Sequence, residues 1–202
     1  MKAVRWSKNL LSLTVLCVLL QSASAQVVST IGGLGKGNSN GDGGYLLDAK
    51  FVGIGGILAD KSGSLYITSA NAVRKADAYG IINTIAGYGE SGGKSGDGGP
   101  ATSAKVYGPT GIALTKDGTL YFSDTKNSCV RKIDKDGVIT TIAGFGGAGF
   151  TDDTLAIHAQ LNGPTTLALD DTGNLYIADA GNFRLRKVTT NGRIVTLAGT
   201  TS

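Results

Sequence analysis

The chain is built from copies of itself. Set against itself at an offset of 55 residues, it aligns Asp42 with Asp97 and Asp152, Ala49 with Ala104 and Ala159, and Gly63 with Gly118 and Gly173. The Leu-Tyr pairs 65–66, 120–121 and 175–176 fall on the same offset. A second series, Thr30-Ile31, Thr84-Ile85, Thr141-Ile142 and Thr196-Leu197, runs at spacings of 54, 57 and 55, the first copy being two residues shorter between its tyrosine and its Arg-Lys pair. A unit of this size cannot close a core alone and must stack its apolar face on a neighbour. Thirty-two glycines would suggest disorder if they were scattered, but here they recur at fixed offsets, as repeated tight turns require.

Within one copy, short apolar runs alternate with turn signals. Gly111-Ile112-Ala113-Leu114 leads through Lys116-Asp117-Gly118 into Leu120-Tyr121-Phe122-Ser123, a hairpin whose Asp-Gly pair supplies the residue that tolerates positive φ. Ser62-Gly63 and Thr172-Gly173 stand in that turn in the other copies. Val130–Ile133 and, after Asp136-Gly137, Val138–Ala143 complete four short strands. No helical period is sustained after the first 25 residues, so the expected class is all-β. Four-stranded units at a period of roughly 50 residues are the signature of β-propeller blades.

The wording of the strands points further. Gly108-Pro109-Thr110-Gly111-Ile112-Ala113-Leu114, Gly118-Thr119-Leu120-Tyr121-Phe122-Ser123-Asp124 and Val130-Arg131-Lys132-Ile133 resemble the segments of secreted NHL repeats, and Gly173–Asp179 with Asn182–Val188 resemble them more closely still. The resemblance covers essentially everything after residue 25. It departs in the first copy, where Gly53-Ile54 replaces Gly-Pro and Thr68-Ser69-Ala70 lacks the aspartate. It departs again where Ser128 and Phe183 replace the histidine of the family's name. It implies an all-β propeller of NHL-type blades with three present, as a partial ring or as half of a six-bladed ring. The expected division is repeats at 28–83, 84–140 and 141–195, with the start of a further one at 196–202. Propellers close with 4 to 8 blades, so a homodimer completing a six-bladed ring, or a longer parent chain of which this is a fragment, is expected.

Residues 1–25 read as a signal peptide: Lys2, Arg5 and Lys8, an apolar run from Leu10 to Leu20, then Ala23 and Ala25 at an A-x-A site. The run is short for a bilayer, which needs roughly 20 apolar residues, and Leu16 before Cys17 does not fit a lipid attachment site. Residues 26–202 are therefore expected to be secreted, extracellular or periplasmic, without membrane insertion. The segment 1–25 holds three of the 19 basic residues and none of the 15 acidic ones, which leaves the remainder near neutral. That balance gives no reason to expect nucleic acid as a partner. It also leaves Cys129 alone, so no internal disulfide can form.

Candidate chemistry is sparse. Asn38, Asn40 and Asp42 match the first half of a calcium-loop pattern, but Ala49 stands where the bidentate glutamate belongs. A glycine-rich turn whose aspartate caps backbone amides accounts for the same residues. His158 aligns with Ser103 and reads as a surface-loop residue. One histidine and one distant cysteine cannot make a zinc set, and Cys129 reads as a buried thiol. The pairs Arg74-Lys75, Arg131-Lys132 and Arg186-Lys187 recur once per copy, which favours ion pairing with a neighbouring blade over a basic binding stripe. Gly32-Gly33-Leu34-Gly35 follows a strand but opens no helix, so it is no dinucleotide loop. No catalytic residue is therefore expected. The resemblance implies a module that binds a protein or glycan partner. The alternative is a metal-dependent lactonase- or lyase-type propeller enzyme, for which Asp124, Asn127, Asp179 and Asn182 are the recurrent candidates.

Overall fold

A computed structural model describes residues 29–33, 41–88 and 91–199. The leader at 1–25 and the calcium candidates Asn38 and Asn40 lie outside the described residues. Three antiparallel meanders make up the described residues. The first blade holds β1 (Ile54–Ala59), β2 (Leu65–Ser69), β3 (Ala72–Ala76) and β4 (Ile82–Ala86). The second holds β5 (Ile112–Leu114), β6 (Leu120–Asp124), β7 (Cys129–Ile133) and β8 (Ile139–Ala143). In the third, β10 (Pro164–Leu169), β11 (Leu175–Asp179), β12 (Arg184–Val188) and β13 (Arg193–Ala198) are joined by the short β9 (Thr154–Leu155), which pairs with β13.

The first hairpin turn of each blade places Gly63, Gly118 and Gly173 at φ of 87°, 91° and 88°, a region open to glycine at little cost. Asp60 and Asp170 brace their turns by accepting from the amides two and four residues on, and the hydroxyl of Thr115 accepts from Thr119 N in the second blade.

The sheets set a different phase from the division at 84, 141 and 196. The Thr-Ile strands end blades: Thr84-Ile85 lies in β4, Thr141-Ile142 in β8, and Thr196-Leu197 closes the third blade in β13 instead of opening a further one. The reason is local. The turns Asp77–Gly80, Asp134–Gly137 and Thr189–Gly192 fold each such strand back onto the Arg-Lys strand before it.

One core cluster, Leu46, Ala49, Ile67, Ala76 and Ile82, lies between the first blade and its leading loop, and the other two lie between blades. One cluster joins Tyr66, Val73 and Ala86 of the first blade to Leu120, Phe122, Ile133 and Ile139 of the second, with Ala101 and Ala104 of the connecting loop wedged in. The next joins Ala113, Val130 and Ala143 to Leu167, Leu175, Ile177, Val188 and Ile194, with Ala156 and Ala159 in the same role. The loop alanines thus recur at fixed offsets because only a small side chain fits where the connecting turn meets both sheets.

Hydroxyls and backbone knit these seams. Thr68 Oγ1 donates to Thr110 O at 2.9 Å, and Ser123 Oγ, at the matching position, donates to Thr165 O at 2.6 Å. Gly108 N donates to Asn71 Oδ1, and Gly163 N to Ser128 Oγ. At Gly56 and Gly111 the backbone of the next blade comes so close that a Cβ would overlap the carbonyl oxygens of Thr110 and Thr165.

Candidate functional site

The Arg-Lys strands β3, β7 and β12 each carry one fully buried arginine. Arg74, Arg131 and Arg186 are the largest fully buried side chains. Each reaches the aspartate of the glycine-rich loop that precedes its blade: Arg74 to Asp42 at 2.6 Å, Arg131 to Asp97 at 2.6 Å, and Arg186 to Asp152 at 3.3 Å. Backbone carbonyls of that loop take further donors, Lys50 O for Arg74, Lys105 O and Ser95 O for Arg131, and Thr151 O for Arg186. The planar fork of arginine suits such shared service. The ion-pair reading of these pairs therefore holds, but with partners in the blade's own leading loop. The loop aspartate also accepts from the outer strand, from Thr84 N, Thr141 Oγ1 and Thr196 N. Asp42 is thus engaged twice by its own blade, by the Arg74 guanidinium and by the strand amide of Thr84.

The lysines of the same pairs point the other way. Lys75 lies over the Tyr66 ring and Lys187 over the Tyr176 ring, at 5.2 and 5.5 Å.

Asp124, Asn127, Asp179 and Asn182 serve the same scaffold. Asp124, fully buried at the end of β6, accepts from Tyr107 N and from Asn127 Nδ2, both at 2.8 Å, and faces Arg131 at 3.5 Å. Asp179 repeats this with Asn162 N at 2.7 Å, Asn182 at 2.8 Å and Arg186 at 3.1 Å. Asn127 and Asn182 give further protons to Gly93 O and Gly149 O. The two Asp-Asn pairs stay in separate blades, each with its lone pairs committed to amides and guanidinium. Among the described residues no three His, Cys, Asp or Glu side chains converge. His158 sits exposed in the short turn Ala156–His158. Cys129 is fully buried, and burial with the nearby Asp124 carboxylate pushes its thiol up to about 12, which keeps it protonated and unreactive.

The loop carboxylates set a pH dependence. Burial raises the Asp97 carboxyl, but hydrogen bonds from Thr141 and Arg131 outweigh this and hold it below its ordinary 3.8; Asp42 and Asp152 are lowered in the same way. Each such group gives stability that is present above 3.8 and is lost as pH falls through its lowered value. Asp124 is raised instead, chiefly by burial, and contributes in the opposite sense. Asp60, Asp117 and Asp170 are lowered too, by hydrogen bonds within their turns, so the expected sign follows the lowered carboxylates. The unfolding midpoint should fall as the solution is taken from neutral to below pH 3.8, and Asp97→Asn should flatten that slope. A midpoint that rises or stays level on acidification would show that these carboxylates are not held as described.

One groove breaks the repetition. Between the first two blades, where β2 turns into β3 and the chain enters β5, lies a cavity of about 800 Å³ walled by Asn71, Thr84, Tyr107, Thr110 and Lys126 with Gly87 and Gly108. This is within the range of small-ligand sites. The exposed Lys126 holds its ammonium 4.6 Å from the Tyr107 ring centre, so an aromatic face and a cation share one wall. Neither residue recurs: Val52 and Asn162 stand where Tyr107 does, and Gly181 where Lys126 does. Sequence reasoning passed over both because it weighed what repeats. The usable signal was the opposite one, a large side chain at a position where the other copies have none of its kind.

Comparison with known proteins places this geometry. The Teneurin NHL domain family matches residues 89–151, and the NHL repeat family matches 161–188. Teneurin-4 of Mus musculus is 33% identical over 187 residues, covering 80% of this chain and 6% of its own length. The chain thus spans a small part of that relative. Among solved structures, an auxiliary nutrient binding protein from Bacteroides ovatus matches at 25% identity and a TM-score of 0.59, over 76% of this chain and 39% of that one. Virginiamycin B lyase from Staphylococcus aureus shares the fold at 18% identity and a TM-score of 0.50, over 75% and 43%. The repeat series, the stacked four-stranded blades and the two family matches agree, and the chain is an NHL-repeat β-propeller protein.

Proposed function

We propose that the chain is an exported, non-enzymatic propeller module that binds a protein or glycan partner in the groove between its first two blades. The observation that carries the reading is the Tyr107–Lys126 wall, a non-recurring aromatic and cation that share one side of the groove, on a scaffold whose buried Arg, Asp and Asn residues recur and bond internally. Aromatic faces take up sugar rings or apolar side chains with little loss of conformational freedom, and an exposed lysine adds an ionic contact. The Bacteroides ovatus relative, described as a nutrient binding protein, supports a binding role for blades of this kind. The lactonase or lyase alternative would draw its metal ligands from Asp124, Asn127, Asp179 and Asn182, whose lone pairs and donors already hold two separate blades together.

The test is to screen the immobilised chain against glycan and peptide libraries and to measure the best ligand against Tyr107→Ala. The substitution should weaken binding at least about tenfold, as loss of a central aromatic anchor does, with the far-ultraviolet spectrum unchanged. Equal binding by Tyr107→Ala, or calcium-dependent turnover of a lactone by the intact chain, would overturn the reading.

A further inference from the structure

The two outer faces of the three-blade stack differ from the faces inside it. In the inner seams Val73 and Val130, Ala86 and Ala143, and Ala113 are sealed by the following blade. The matching residues of the third blade face open solvent: Leu185 is 41% and Leu197 49% exposed, and Ala168 and Ala198 are exposed as well. At the other end, Ile57 is 58% and Ile54 60% exposed, whereas their counterparts Leu167, Pro109 and Pro164 are buried by the blade before them. One chain therefore carries both halves of an apolar seam, at opposite ends of the stack.

These two faces also depart from the inner seams in the same sense. The hydroxyl donors Thr68 and Ser123 give way to Ala178, Thr125 to Ala180, and the acceptor Ser128 to Phe183, which is 88% exposed. Gly53, the partner that the repeat assigns to Phe183, has open space where its Cβ would stand. Thr166 occupies the position at which Gly56 and Gly111 permit backbone contact with the next blade. A seam on this face is thus wider and held by apolar side chains, without the hydroxyl-to-carbonyl bonds of the inner ones.

We infer that the far face of the third blade docks the near face of the first blade of a second copy. Leu185 then meets Ile57 as Val130 meets Leu167, and Phe183 covers Gly53 and Ile54. Two such contacts, related by a twofold axis, join two three-blade stacks into one closed ring of six, within the 4 to 8 blades at which propellers close. Because this seam lacks the inner hydrogen bonds, it opens on dilution while each half stays folded. The inference stands on the outer faces alone and does not depend on the groove reading.

The experiment is light scattering on the full exported chain across a dilution series. The expected mass is that of two chains at micromolar concentration, falling to one on dilution without loss of β-sheet signal. Leu185→Lys and Ile57→Glu, both at exposed strand positions, should each give a single-chain mass with unchanged circular dichroism. An equimolar mixture of the two should recover the two-chain mass, because one of its seams is unaltered and the other pairs lysine with glutamate. A wild-type chain that stays single at all concentrations overturns the inference, and so does one that grows past two chains. With both variants folded by circular dichroism, failure of the mixture to recover the two-chain mass overturns it too, and the wild-type dilution series tests it without any variant.

Discussion

Replacing Arg131 with methionine is expected to cost about 3–5 kcal/mol of folding free energy, the scale for removing one partner of a buried ion pair. Arg131 is fully buried between the exposed-side Asp97 and the inner Asp124, itself fully buried. Methionine fills the volume but returns nothing to Asp124, which burial already makes reluctant to ionise. Two carbonyls, Lys105 O and Ser95 O, lose their donors as well. The loss should shrink as pH falls, because a protonated Asp124 no longer needs a cation. Arg74→Met should cost less, since Ser69 stands in the first blade where Asp124 stands in the second. Urea unfolding followed by circular dichroism measures both. If the two variants lose equal stability, the buried carboxylate is not what makes Arg131 necessary.

Gly111→Ala is expected to destabilise by about 3 kcal/mol, the upper range for overpacking. Its added methyl would sit on Thr165 O and against Leu167 N, both backbone atoms of the third blade that cannot rotate away. The strand conformation itself is no obstacle, because Thr166 carries a side chain at the matching place in β10, with no described residue seated over it from a further blade. Thr166→Gly is the companion measurement, and it should change the stability of a single chain by little. Should Gly111→Ala unfold at the wild-type urea concentration, the second and third blades are less closely seated than the seam geometry states.

Most of the fold could be read from the sequence because each blade repeats its turns. Asp117-Gly118 and Asp136-Gly137 mark two hairpins, and the apolar runs between them are the strands found. Where the repeat begins could not be read in the same way, since a periodic sequence fixes spacing without fixing which strand pairs with which. Only the hydrogen bonds of the returning turns assign Thr196-Leu197 to the third blade. The arginines show a similar limit. Their recurrence pointed to a structural role, but that Arg131 bonds Asp97, 34 residues earlier, depends on how the connecting loop wraps back along its own sheet. The groove was the least legible part, since Tyr107 and Lys126 are separated in sequence by the whole of β5 and β6.

The wrapping of each glycine-rich loop onto the blade that follows it bears on how such chains can lengthen or be recombined. Gly98 N and Ile139 N exchange bonds with Ile139 O and Gly99 O, and Ala156 N bonds Gly192 O, so each loop is stitched along the outer strand of the sheet it leads into. Its aspartate clamps that same sheet's arginine. A segment copied from one Thr-Ile strand to the next would split a blade and strand its outermost strand with the wrong neighbour. A segment that begins at the loop and ends after the Thr-Ile strand, as residues 91–144 do, carries its clamp, its counter-charge and its edge cover together. Such a segment is the natural cassette for duplication, and in this chain it has the period of the repeat but is out of phase with the division at the Thr-Ile pairs.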